Sequence, residues 1–224
     1  MKYELEKKIW TDADFEQMGW HDCRIYKIRF SEDLELDIDY ILQWNKPDLE
    51  GLPFTFWVAP ATMVFKRVKK LNFEIDTAFD EAVEIEDIER RVDKEGMVWT
   101  ILTQQGEIEF LADGYEQFIR QEPSFQFGQT IPYIERYGSS LERTTSQDNP
   151  NRLREDLQAQ RKKDLEDYEN AKKRHLLRQE KEALSESREG RKLSLKDYLV
   201  RKKEIAEKLE YYDHWLQNTR FEAW

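Results

Sequence analysis

From residue 146 onward the chain carries a single proline, Pro150, and a single glycine, Gly190; the other seven glycines and five prolines all lie before residue 140. A stretch of that length without breakers can build long helices but not a series of tight turns, which rely on Gly and Pro for their backbone angles. Charge changes at the same place. Up to residue 145 there are 17 basic and 30 acidic residues, and after it 19 basic and 17 acidic. Two physically different regions follow from this break.

The first region reads as strands. Arg24–Phe30 and Leu34–Ile41 alternate with period two, which puts Leu34, Leu36, Ile38 and Tyr40 on one face and Glu35, Asp37 and Asp39 on the other. Phe54–Phe65 is nearly all apolar and suits a central strand, with Pro60 marking a bulge, bend or break. Leu71–Asp76 and Val83–Arg91 follow, and then a hairpin of Met97–Thr103 with Glu107–Ala112 turning through Gln104-Gln105-Gly106. The short connectors favour an antiparallel meander over parallel units, whose crossovers need a dozen or more residues. Two short helices are expected beside the sheet, Asp12–Met18, started by Thr11 with Asp14, and Tyr115–Gln121, ending before Pro123.

The second region reads as a helical hairpin. Asn149 as N-cap and Pro150 as first helical residue predict a helix of about 40 residues, running to Gly190 and about 60 Å long. Ser194 with Asp197 resembles a capping box for a second helix, with Leu193 and Tyr198 placed as a hydrophobic staple. Leu195, Tyr198, Ile205, Leu209, Tyr212 and Leu216 then recur at coiled-coil spacing, interrupted by Lys202. The stripe of the first helix, from Leu153 to Leu184, is narrow, so either a partner surface covers the pair or the hairpin is self-contained. The expected class is α+β: an acidic antiparallel β-rich domain over 1–140 with short helices, a linker over 141–149 and a long two-helix hairpin over 150–224.

Composition narrows the function classes. A net charge of −11 argues against a generic nucleic-acid coat. The 12 Phe, 10 Tyr and 7 Trp argue against disorder. No window approaches the roughly 18 apolar residues of a membrane span, and the charged first eight residues lack the apolar core of a secretory signal, so a cytoplasmic protein without membrane contact is expected. Cys23, the only cysteine, excludes an internal disulfide and a multi-thiolate zinc site, and three scattered histidines supply no structural metal centre. Phosphate loops, dinucleotide fingerprints and nucleophile elbows are absent from the sequence, so no cofactor and no catalytic residue is assigned.

Four constellations remain. Trp20-His21-Asp22-Cys23 gathers reactive residue types, but the simpler reading sends Trp20 and Cys23 to the core and His21 and Asp22 to a turn. Glu35, Asp37 and Asp39, with Glu74 and Asp76 as possible extensions, form an acidic strand face. It is read as solvated or as docking a basic partner, with a Mg²⁺- or Ca²⁺-dependent hydrolase as the alternative. Phe54, Phe56, Trp57, Phe65, Trp44 and Trp99 read as core aromatics. Basic clusters at 66–70, 161–163, 172–174 and 201–203 could meet phosphates, although the helical ones are laced with Glu and Asp, which reads as ion pairing. The aromatic C-terminal stretch, Tyr211 to Trp224, is expected to dock on the strand domain or on a second subunit.

Asp14–Cys23, Asp37-Ile38-Asp39-Tyr40 and Phe56–Thr62 resemble a family of small bacterial proteins, some of them immunity-like. The resemblance implies an acidic cytosolic protein that binds and neutralises another protein, and assigns no active residues. The leading expectation is therefore a bacterial protein-interaction module, with an immunity or antitoxin-like inhibitor as its sharpest form, binding a protein partner or a second copy as a homodimer. The candidate binding residues are Glu35, Asp37, Asp39, Leu195, Tyr198, Ile205, Leu209, Tyr212 and Trp215. A carboxylate-metal enzyme and a nucleic-acid-associated protein acting through the basic helices stand as alternatives.

Overall fold

The computed structural model describes residues 2–76, 82–189 and 194–224. They divide into two units, one formed by residues up to Lys46 with Phe54–Arg152, the other by Pro47–Pro53 with Leu153–Trp224.

The first unit is built on ten strands: β1 (Ile9–Thr11), β2 (Cys23–Phe30), β3 (Leu34–Asn45), β4 (Thr55–Phe65), β5 (Lys69–Ile75), β6 (Glu84–Val92), β7 (Met97–Thr103), β8 (Gly106–Leu111), β9 (Tyr115–Ile119) and β10 (Ser124–Gln126). Their order is β1-β9-β4-β3-β2-β6-β7-β8-β5, with β10 also paired to β4, and every pairing is antiparallel. The fold is mixed α and β with a large antiparallel sheet. The expected meander holds for β2-β3-β4 and for β6-β7-β8 but not across β5. Both edges of β4 are taken, by β3 on one side and by β9 and β10 on the other, so the chain leaving β4 pairs instead with β8. Gly106 permits that approach, because its φ is +141° and a Cβ there would lie 2.0 Å from the Glu74 carbonyl oxygen.

Two local expectations are corrected. Tyr115–Gln121 is not a helix. Tyr115–Ile119 is strand β9, where Tyr115, Gln117 and Ile119 are buried and alternate with half-buried neighbours, and a helix there would have left the edge of β4 unpaired. Asp12–Gln17 is helical, but as a 3-10 turn, with the Thr11–Asp14 pair forming the capping box.

The core holds Phe65, Trp99 and Phe110 in edge-on contact, with Tyr115, Trp20 and Phe15 around them. Such aromatic pairs contribute beyond the area they bury. Of the aromatic set expected inside, Phe56, Phe65 and Trp99 are buried and Trp57 is half-buried, while Trp44 and Phe54 stand exposed at the end of the β3–β4 pair. Trp20 and Cys23 enter the core, and Asp22 occupies a left-handed turn position, its carboxylate accepting from Gln129.

Residues 141–149, expected as a linker, are stitched into the first unit. Gln147 Oε1 accepts from Arg120 Nε at 2.9 Å, and Asn149 Nδ2 donates to Gln121 and to the Glu135 carbonyl at 2.7 Å each. A short helix, α1 (Tyr133–Arg136), lies just before them and ends on Tyr137 in the left-handed region.

In the second unit, α2 (Glu155–Glu189) and α3 (Leu195–Leu216) pack on each other. The first helix starts later than expected: Asn149 serves a 3-10 turn at Pro150–Leu153, accepting from the Asn151 amide, and α2 begins after it. Ser194 caps α3 by accepting from the Asp197 amide. The proposed stop at Gly190 and the staple residue Leu193 lie outside the described residues. Pairs Glu180–Arg201, Arg174–Asp213 and Asp167–Trp215 link the helices, so their chain directions oppose. The basic clusters are ion-paired along these helices, as at Lys163–Asp167, Lys172–Glu169 and Lys203–Glu207.

Candidate functional site

The acidic strand face is not solvated. Glu35, Asp37 and Asp39 are 1%, 0% and 0% exposed, because α1 and the chain after it cover that side of β3 while Leu34, Leu36 and Ile38 face the core. Burying three carboxylates is unfavourable unless cations and hydrogen bonds replace water. Arg120, just past the end of β9, and Arg136, at the end of α1, supply the first two cations.

The geometry closes around them. Asp37 Oδ1 accepts from Arg120 Nη2 at 2.6 Å and from Arg136 Nη2, and its Oδ2 accepts from Arg136 Nη1 and the Ser140 amide, both at 2.9 Å. All four acceptor directions of that carboxylate are used. Asp39 Oδ1 accepts from Arg136 Nε, and its Oδ2 from the Tyr26 hydroxyl and the Ile131 amide. Arg136 also donates to the carbonyls of Gly138 and Ile38 and lies 4.0 Å from the Tyr26 ring centre. Arg120 donates further to Thr62, the Ser140 carbonyl and Gln147. Two aspartates and two arginines thus form a buried group with no net charge.

Electrostatics follow the burial. Desolvation pushes the Asp39 carboxyl above its ordinary value, against the Arg136 charge and the hydrogen bonds it accepts. Desolvation pulls Arg120 down, with Asp37 opposing. In Arg136 desolvation acts downward too, but its hydrogen bonds and the charges of Asp37 and Asp39 outweigh it and the net shift is upward. Glu35 sits at the edge of the cluster, and its hydrogen bond from Arg29, aided by Arg143, holds it below the usual carboxylate range despite desolvation.

This arrangement removes the physical basis for a divalent cation at Asp37 and Asp39. The lone pairs a metal would need on Asp37 are held by guanidinium groups and an amide, and the same burial denies both residues to a docking partner. Glu74 does not extend the row, since β5 lies five places from β3 in the strand order. Cys23 is no nucleophile either: it is fully buried, and desolvation pushes its thiol up to about 12. Sequence reasoning missed Arg120, Arg136 and Arg143, which sit in no periodic pattern. The usable signal was indirect, since a central strand carrying three carboxylates opposite an apolar face requires cations from elsewhere in the chain.

The helical candidates divide. Ile205 and Leu209 are buried against Leu184, with Tyr198 packed beside them, and Tyr212 is half-buried. Leu195 is exposed, and Trp215 is partly exposed with its indole N–H donating to Asp167 at 2.9 Å. The C-terminal aromatics pack on α2. Phe221 is buried against Tyr168 and Trp224, and Arg174 donates to the carbonyls of Phe221, Glu222 and Trp224 at 2.8 Å each. What this leaves uncovered is an apolar groove of about 530 Å³ between α2 and α3, floored by Leu176, Leu177, Tyr211 and Tyr212.

No family model, curated protein or solved structure matches this chain.

Proposed function

We propose that this chain is a protein-interaction module whose binding element is the helical hairpin of α2 and α3, and that its groove receives the same element of a second copy. The observation that carries this reading is the groove itself. Leu176 and Tyr211 are 47% and 57% exposed there, although the same two helices bury Ala171, Leu184, Ile205, Leu209 and Leu216. Apolar side chains left open along a helix pair gain stability from a further packed surface.

The rim supports a like partner. Lys173 and Lys208 line the groove together with Glu204 and Glu207, so a two-fold arrangement can set each sign against its opposite. Leu199 and Val200 continue the exposed apolar surface along α3. The inhibitory form of this reading, in which an acidic face masks a basic partner, finds no support in Asp37 or Asp39, which are covered.

Light scattering on the full chain over a concentration series tests the proposal. The expected result is a two-chain mass that falls to one chain in the Leu176→Glu/Tyr211→Glu variant with unchanged far-UV circular dichroism. A wild-type chain that stays monomeric throughout, or a dimer untouched by the double substitution, would overturn it. A monomer that binds a different protein through the same residues would reassign the groove to that occupant.

A further inference from the structure

Beside the closed ion cluster lies an open one. The β2–β3 register sets Lys27 opposite Asp37 and Arg29 opposite Glu35, so both basic side chains stand on the carboxylate face of the sheet. Arg143 reaches the same place from the covering chain, and the three cations line one cavity of about 470 Å³ with Ser139 and Ser140. Glu35 forms its base. Its Oε2 accepts from Arg29 Nε, and its Oε1 accepts from Arg143 Nε at 3.0 Å, with Arg143 Nη2 at 2.9 Å.

That carboxylate holds two guanidinium groups in place without exhausting them. Arg29 and Arg143 remain 55% and 41% exposed. Among the described residues, both terminal nitrogens of Arg29, Nη1 of Arg143 and the Lys27 ammonium have no acceptor. Several exposed cations elsewhere in this unit are matched, as in Lys66–Glu116, Arg67–Asp113, Lys70–Glu95 and Arg91–Glu109, while others, such as Lys69 and Lys94, stand singly among the described residues. Here the open donors of three cations line one cavity.

We propose that this cavity binds a phosphoryl group. Lys27, Arg29 and Arg143, set against Glu35 and against Asp33, which pairs with Arg143 from outside the lining, leave one positive charge, and planar guanidinium forks match phosphoryl oxygens while Ser139 and Ser140 add neutral donors. Glu142 stands exposed at the mouth, where water and salt screen it. The site is independent of the helical groove, so neither proposal depends on the other.

Calorimetric titration of the full chain with inorganic phosphate at constant ionic strength is the test. Saturable binding is expected, weakened about tenfold or more, roughly one lost charged contact, by Lys27→Gln, whose exposed side chain supports nothing else. Lys94→Gln, on the β6–β7 turn, removes the same charge away from the cavity and should leave binding unchanged. Adenosine monophosphate separates the sources: tighter binding than phosphate assigns the site to a small phosphomonoester, and equal or weaker binding to free phosphate. If neither ligand saturates, if Lys27→Gln binds as wild type, or if Lys94→Gln weakens binding equally, the assignment fails.

Discussion

Arg136 holds Asp39 through Nε, 2.8 Å from Oδ1, while its two terminal nitrogens hold Asp37 on the same strand. One side chain from a four-residue helix therefore neutralises much of the charge buried on β3, and fastens the covering chain to the sheet as it does so.

Replacing Arg136 by Met should cost about 3–5 kcal/mol, because it leaves one guanidinium among two buried carboxylates. That is a large share of the roughly 5–15 kcal/mol typical of a domain. Arg136→Lys should recover little, since a single ammonium cannot reach both carboxylates with the geometry of a planar fork. Urea denaturation monitored by tryptophan fluorescence measures both variants, and a Met variant within about 1 kcal/mol of wild type would show the cluster to be energetically idle.

Glu35 and Asp39 should respond to acid in opposite senses. The folded-state value of Glu35 is lowered, so its contribution is present above the unfolded value and lost as pH falls through the folded one. Asp39 is raised, so its charged form opposes folding, and this opposition fades as pH drops through the folded value. Carboxyl-detected NMR titration should place the Glu35 midpoint below, and the Asp39 midpoint above, the ordinary carboxylate values. Glu35→Gln should flatten the loss of stability on acidification.

Phe221→Ala should destabilise the helical unit by about 3–5 kcal/mol, the usual cost of emptying a buried aromatic site. Phe221 fills the space beside Tyr168 and orders the carbonyls that Arg174 holds. Hydrogen exchange should then speed up at the facing turns of α2 and α3 before it does so in the sheet. Unchanged protection around Arg174 would show that the C-terminal turn adds nothing to the helices.

Periodicity made most of this fold legible. Leu34–Ile41 reads as a strand because the apolar set repeats every second residue, and the helices are announced by an absence of glycine and proline and by the Ser194–Asp197 cap. The same alternation misled about the site. It separates the two faces of β3 but says nothing of what covers the second one, and both proved buried. Tyr115–Ile119 was hidden for a related reason: five residues fit a short helix or a short strand, and only the free edge of β4 decides between them. The cations Arg120 and Arg136 lie 83 and 99 residues from Asp37, a separation that no local pattern encodes.

The segment Pro47–Pro53, which leaves β3 and returns to β4, is counted with the helices. Asp48 meets Lys172, and the Glu50 carbonyl lies 2.7 Å from His175 Nε2, across 124 and 125 residues of sequence. A pair of helices on its own is a low-contact-order object that closes quickly. Here part of its packing waits until synthesis has passed His175, with the segment from 47 to 53 held in reserve. The helical unit therefore cannot be completed as a local event late in translation, and a chain stalled early in α2 would leave this segment without its partners.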